Sequence, residues 1–298
     1  MDREMNNPIV MHVNYCEQGQ TVDEICRKAV AWGFDGVEFR RVSTVLKYES
    51  QEKYLDDLAA GSKKHGLKYV LFGYPTADLM QSDASKREKE VEEAIVFFKS
   101  ALKRFPLSVV NAFSGSLIAK DVPYVDYQKH GSFIATEAQW KQAVEGYKVL
   151  GRFAEENKFR FAFETHMGYL HDTPQAAKKL VDMIGSPGVG VNLDYGNAVY
   201  FDSKNILPLS DTIKHVGKTL YYTHLKNSMA VPGTENKRMP TALSQGEINH
   251  REYIAALKVS GYKGPIGIEA PRGGDREWYA IEDLHYIKSV IADIVAER

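Results

Sequence analysis

Short apolar runs alternate with amphipathic segments eight times along the chain, and few folds accommodate that pattern. The runs are PIVMHV (8–13), GVEF (36–39), KYVLF (68–72), LSVVNAF (107–113), FRFAFE (159–164), GVGVNL (188–193), TLYYTHL (219–225) and PIGIEA (265–270). Each is short and apolar at successive positions, as strands buried on both faces of a parallel sheet are. The intervening segments, 21–34, 52–67, 86–105, 137–157, 173–184, 210–217, 251–262 and 280–298, carry helical periodicity, and the first opens with a capping box from Thr21 to Glu24. Regular strand–helix alternation predicts a parallel sheet. Eight repeats in 298 residues, about 37 per unit, predict an α/β fold that closes as a single (β/α)8 TIM barrel over 1–298. A doubly wound open sheet would call for a glycine-rich phosphate loop, and neither GxGxxG nor a P-loop occurs.

Composition narrows the function. With 38 basic and 39 acidic side chains the net charge is -1, which offers no electrostatic reason to expect nucleic acid or a membrane surface. No run approaches the roughly 18 apolar residues of a membrane span. The N-terminal MDREMNNPIV lacks the basic start and apolar core of a signal peptide. The two cysteines, Cys16 and Cys26, suggest no disulfide framework. These features lead us to expect a cytoplasmic protein with no membrane partner.

The polar residues at the strand ends say more. The fifth strand ends in Glu164, the sixth runs into Asp194, the seventh carries His224 and the eighth ends in Glu269. Four successive barrel strands bring those side chains around one point on the C-terminal face. Three carboxylates so crowded repel one another and take up protons unless a cation lies among them. Three carboxylates and an imidazole suit one divalent metal ion, with Mn²⁺ favoured and Mg²⁺, Co²⁺ or Zn²⁺ as alternatives.

The chain resembles the xylose-isomerase-like TIM-barrel superfamily of sugar isomerases and epimerases, which also contains apurinic endonucleases. The resemblance spans nearly the whole chain. It rests on FDGVEFR (34–40), ETH (164–166), NLDYGN (192–197), HLKN (224–227) and QGEINHREYIAALKVSGYKGPIGIEA (245–270), in that order and spacing. It implies metal ligands at Glu164, Asp194, His224 and Glu269, the four that barrel geometry selects. It also implies a small-molecule carbohydrate substrate. The endonuclease branch carries extra histidines on strands three and four; here those ends read LFGYP and VVNAFSG.

The expected activity is a divalent-metal-dependent isomerase or epimerase of a keto sugar or related polyol, acting by α-proton abstraction through a metal-stabilised enediolate. Glu164 and Glu269 are the expected acid–base pair. Two positions depart from the ketose 3-epimerases of the family. Asn197 stands where they carry a histidine, and Lys226 follows the seventh-strand histidine where they carry an arginine nearby. These departures keep open a metal-dependent lyase or dehydratase of a keto-cyclitol, dehydroshikimate-like or 3-keto-glycoside substrate. A binding-only barrel would be expected to have lost a ligand, and all four are present.

Further candidates for the substrate pocket are His166, two past Glu164; Lys226 and Asn197; His12 and Glu38 on the first two strands; and Asn111 on the fourth. Lys237 and Arg238 read as solvated loop charges. Tyr74, Tyr124, Tyr127, Tyr195, Tyr200 and Trp278 fall near the C-terminal face, where aromatic rings commonly stack on sugars. Two long connections, 114–135 and 227–250, follow strands and are expected to act as lids, binding loops or contacts in a homo-oligomer.

Overall fold

The computed structural model describes residues 5–44, 46–201, 205–234, 237–270 and 272–296. In chain order the elements are β1 (Ile9–His12), α1 (Val22–Trp32), β2 (Gly36–Arg40), α2 (Gln51–His65), β3 (Tyr69–Gly73), α3 (Ala84–Leu102), β4 (Val109–Ala112) and α4 (Glu137–Glu156). They continue with β5 (Arg160–Glu164), α5 (Pro174–Ile184), β6 (Val189–Asp194), a one-turn α6 (Tyr195–Ala198), α7 (Leu209–Val216) and β7 (Leu220–Leu225). The last are β8 (Ser228–Ala230), β9 (Arg238–Pro240), α8 (His250–Ser260), β10 (Ile266–Ile268) and α9 (Arg276–Ala296). Eight parallel strands close in the order β1-β10-β7-β6-β5-β4-β3-β2, a (β/α)8 barrel.

Helix starts follow the local chemistry. Thr21 and Glu24 form the reciprocal capping box at α1, and Thr136 and Gln139 form another at α4. Thr173 caps α5, with Pro174 in its first turn. Strand alternation sorts side chains between two cores. Residues such as Met11, Phe161, Phe163 and Leu225 pack outward against the helices, while Val10, Leu71, Val109, Ala162 and Tyr222 form a separate cluster along the axis. Two residues after each of four of these comes a polar side chain: His12, Asn111, Glu164 and His224. An apolar plug therefore supports a polar layer at the C-terminal mouth.

The structure refines several expectations. The eighth barrel strand stops at Ile268 rather than 270, yet Glu269 keeps a strand-like backbone bond, its N–H donating to Leu225 O at 3.1 Å. The connection 227–250 is partly ordered, with β8 and β9 forming an antiparallel hairpin. Asn227 ties it down: its Nδ2 donates to Leu243 O (3.1 Å) and Ile248 O (3.0 Å). The expected helix 280–298 begins earlier, at Arg276, and its last two positions lie outside the described residues, as does part of MDREMNNPIV.

Candidate metal centre and active site

Glu164, Asp194, His224 and Glu269 converge as the strand ends predict, each offering one ligand atom within 4.8 Å of the others. The pairing of β6 with β7 contains a register shift between Val191 and Asn192, beyond which Asp194 lies opposite His224. Glu164, Asp194 and His224 are buried, and the Glu269 side chain is 13% exposed. Asp194 Oδ2, His224 Nδ1 and Glu269 Oε2 are buried without a hydrogen-bond partner. Buried polar atoms are ordinarily satisfied by hydrogen bonds, and these, met only by charge contacts with Lys226 and with one another, mark a place for a cation.

His224 is oriented from behind. Its Nε2 lies 2.8 Å from Glu38 Oε2, so Nε2–H donates to that carboxylate and Nδ1 faces Glu269 Oε2 at 3.0 Å and Glu164 Oε2 at 3.5 Å. Glu38 also accepts from Tyr222 OH (2.8 Å) and Asn111 Nδ2 (2.9 Å). Asn111 Nδ2 reaches Glu164 Oε2 at 2.7 Å, and Asn192 Nδ2 reaches Asn111 Oδ1 at 3.1 Å. Asn197 Nδ2 donates to Glu164 Oε1 at 3.1 Å, and its backbone N–H donates to Asp194 Oδ1 at 3.0 Å, so one turn of α6 serves both carboxylates.

Lys226 extends into the carboxylates. Its Nζ lies 2.9 Å from Asp194 Oδ2, 3.2 Å from Glu269 Oε2 and 3.5 Å from Glu164 Oε1. Gly196 makes this approach feasible, because a Cβ there would overlap the Lys226 Cβ. His12 lies 3.8 Å from both Glu38 Oε1 and Glu269 Oε1, and Asn14 Nδ2 donates to Glu269 Oε1 at 3.0 Å.

Four carboxylates, Glu38 included, thus share one buried volume with one ammonium and two imidazoles. Burial opposes charge on His224, yet Glu38 and Glu164 push its pKa well above the usual range. Burial likewise opposes the Lys226 ammonium, and Asp194, Glu269 and Glu164 outweigh it. Burial raises Asp194 to about 7 against the pull of Lys226. Protons and an ammonium here offset a surplus of negative charge that a divalent ion would offset directly. The orphaned atoms, the carboxylate–imidazole set and the oriented Nδ1 all fit such an ion.

Of the expected pocket residues, Glu38, Asn111, Asn197, Lys226 and His12 join this cluster. His166 is turned aside: Nδ1 lies 3.0 Å from Met167 O and the ring packs against Phe113 and Tyr169. The strand ends at Glu164, so period-two alternation does not extend to it. Arg238 is not a solvated charge, because the hairpin brings it to Glu247 (2.5 Å) and over the Tyr200 ring. Asn14, Tyr222, Asn192 and His171 were not among the expected residues. Tyr222 and Asn192 stand two residues before His224 and Asp194, a spacing that points them the same way. His171 is buried and bonds the Glu164 carbonyl from the following loop, for which no local signal exists.

Residues 26–290 match the family model described as xylose isomerase-like TIM barrel. An inosose dehydratase of Clostridium perfringens is 24% identical over 225 residues, 68% of this chain and 72% of that protein. Among solved structures, a xylose isomerase-like TIM-barrel protein from Mycobacterium smegmatis in complex with magnesium superposes with a TM-score of 0.75 at 19% identity, covering 98% of each chain. D-psicose 3-epimerase from Clostridium cellulolyticum H10, solved with D-tagatose, gives 0.73 at 19% identity over 95% of this chain and 99% of that one. The structural likenesses establish the fold.

Proposed function

Because the chain belongs to the xylose isomerase-like TIM-barrel family, we propose that it is a divalent-metal-dependent isomerase or epimerase of a keto sugar or related polyol. The observation that carries this reading is the placement of Glu164 and Glu269. They come from β5 and the end of β10, the outer members of a four-strand arc, with Asp194 and His224 between them. Two carboxylates on either side of one point can take a proton from one face of a substrate carbon and return it to the same or the other face.

Glu164, Asp194, His224 and Glu269 would hold the ion, which when bound supplies Lewis-acid polarisation of a substrate carbonyl. The chain's own groups do the rest. Glu164, gripped by Asn111 and Asn197, is oriented to accept a proton at an oxygen. Burial opposes its charge, and Lys226 and His224 hold it below the usual carboxylate range. Asn14 holds the other oxygen of Glu269, leaving Oε2 directed inward. Lys226 reaches both glutamates and would hydrogen-bond a substrate oxygen.

A second reading, dehydration, is favoured by Lys226. An ammonium between the two acid–base candidates can donate to a departing hydroxyl, and the similarity to an inosose dehydratase points the same way.

Turnover in D₂O with Mn²⁺-loaded protein, a panel of ketohexoses and an inosose tests both. The proposed activity places solvent deuterium beside the carbonyl of a product of unchanged formula. Loss of water with an unsaturated product supports the second reading instead. Glu164→Gln and Glu269→Gln should each lower exchange roughly 100-fold or more. Exchange that persists after full chelation would refute metal dependence.

A further inference from the structure

The fixed donors around the candidate metal centre hold some carboxylate oxygens and leave others free. Asn111 and Asn197 hold Glu164, the Asn197 backbone N–H holds Asp194 Oδ1, and Asn14 holds Glu269 Oε1. Asp194 Oδ2 and Glu269 Oε2 receive no such donor. Those are the two oxygens that Lys226 Nζ approaches most closely, at 2.9 and 3.2 Å, with Glu164 Oε1 third at 3.5 Å. The ammonium is therefore seated among three of the four side chains that converge at the strand ends.

That seat is unusual for a lysine, whose charged tip ordinarily extends to water. Lys226 directly follows β7, Gly196 leaves room for its stem, and its side chain is only 19% exposed. No other lysine or arginine among the described residues pairs with Glu164, Asp194 or Glu269. A divalent ion held by this cluster needs the same oxygens. Two cations drawn to shared oxygens in a buried, low-dielectric volume repel strongly, so each weakens the hold on the other. An alternative acceptor lies alongside: Asn197 Oδ1 is 3.4 Å from Nζ, and the Asn197 amide is fixed by its bonds to Glu164 Oε1 and Thr165 O.

We propose that Lys226 is an internal counter-ion that competes with the divalent metal for the cluster, and that metal loading turns its ammonium away from Asp194 and Glu269 toward Asn197. Lys226 thereby sets how tightly the centre holds its ion, a positioning role separate from any contact with substrate. This inference rests on the metal-dependent reading above.

Mn²⁺ titration of the metal-free full-length protein, followed by electron paramagnetic resonance, tests it. Lys226→Met and Lys226→Gln remove the charge, and each should bind Mn²⁺ at least tenfold more tightly than the parent. Lys226→Arg keeps the charge and should show no such tightening. A second measurement needs no variant: reductive methylation of the parent, read by peptide mass spectrometry, should label Lys226 several-fold faster with Mn²⁺ than with chelator. Mn²⁺ affinity unchanged or weakened in both neutral variants, or equal tightening in Lys226→Arg, would overturn the competition while leaving the metal-dependent reading intact. Equal labelling with and without Mn²⁺ would overturn the displacement. Failure of parent and variants alike to bind Mn²⁺ would refute the metal-dependent reading and this inference together.

Discussion

Glu38 accepts hydrogen bonds from three sides, from His224 Nε2, Tyr222 OH and Asn111 Nδ2, while almost wholly buried. Its carboxylate keeps His224 Nδ1 directed at the other three converging side chains. In Glu38→Gln the amide keeps the volume but presents N–H groups to neighbours that are themselves donors. Metal affinity should fall about 10- to 100-fold, the usual cost of losing an outer hydrogen bond to a ligand imidazole. Mn²⁺ titration followed by electron paramagnetic resonance measures this, and an unchanged affinity would exclude the orienting role. At this scale the converging cluster was legible, since Glu164, Asp194, His224 and Glu269 occupy matching strand-end positions. Glu38 in GVEF was not distinguishable from a core residue with some other partner, because its three donors come from β4 and β7.

The segment 114–135, with two single 3-10 turns at Tyr127–Lys129 and Gly131–Phe133 as its only helical structure, is held by bonds to its neighbours. Leu117 N–H donates to Gly168 O, Gly131 N–H to Leu117 O at 2.8 Å, and Ser132 N–H to Asp172 Oδ2 at 2.9 Å. His130 is buried within it, its Nδ1 accepting from Ala119 N–H at 3.0 Å. His171 joins this segment to the site, accepting from Ser114 N–H at 3.2 Å through Nε2 while its other nitrogen donates to the Glu164 carbonyl. Gly131 has a φ of 57°, and a Cβ there would overlap Asp172 and the Tyr169 carbonyl. Gly131→Ala should therefore cost roughly 1–3 kcal/mol and speed amide exchange across 117–133. Unaltered exchange in that segment would show that the brace is not needed. Length and tyrosine content marked this connection as special. Its fastening was not readable, because the partners Gly168, His171 and Asp172 belong to the loop after β5.

For the whole molecule, buried titratable groups outside the metal centre set a dependence on pH. Burial pushes His250 and His171 each down to about 4 from an ordinary 6.5, so the unfolded chain takes up those protons first as pH falls. Their contribution is fully present above about 6.5 and lost on descending to about 4. At roughly 1.4 kcal/mol per pH unit, each accounts for about 3 kcal/mol. Asp172, raised by burial to about 7, acts in the opposite sense: its contribution is present below the ordinary 3.8 and lost as pH rises through 7. Asp283, which burial also raises, acts in the same sense as Asp172, and the two aspartates offset only part of the loss of stability that the two histidines impose between pH 6.5 and 4. Denaturant midpoints across that window should show it, and His250→Gln should lessen the slope. An identical slope in the variant would refute the assignment to His250.

Along the sequence alone, period and strand-end chemistry determined the barrel and the four converging side chains. A strand's alternation and its last residue are local properties, and closure of eight such strands leaves one mouth for their ends to meet. Tertiary structure alone decided which atoms face that mouth. The hydrogen bond that Glu38 accepts selects the histidine nitrogen, Gly196 in the turn of α6 admits Lys226, and the β8–β9 hairpin carries Arg238 onto Tyr200. Each depends on partners distant in sequence, whose distances and angles no local pattern encodes.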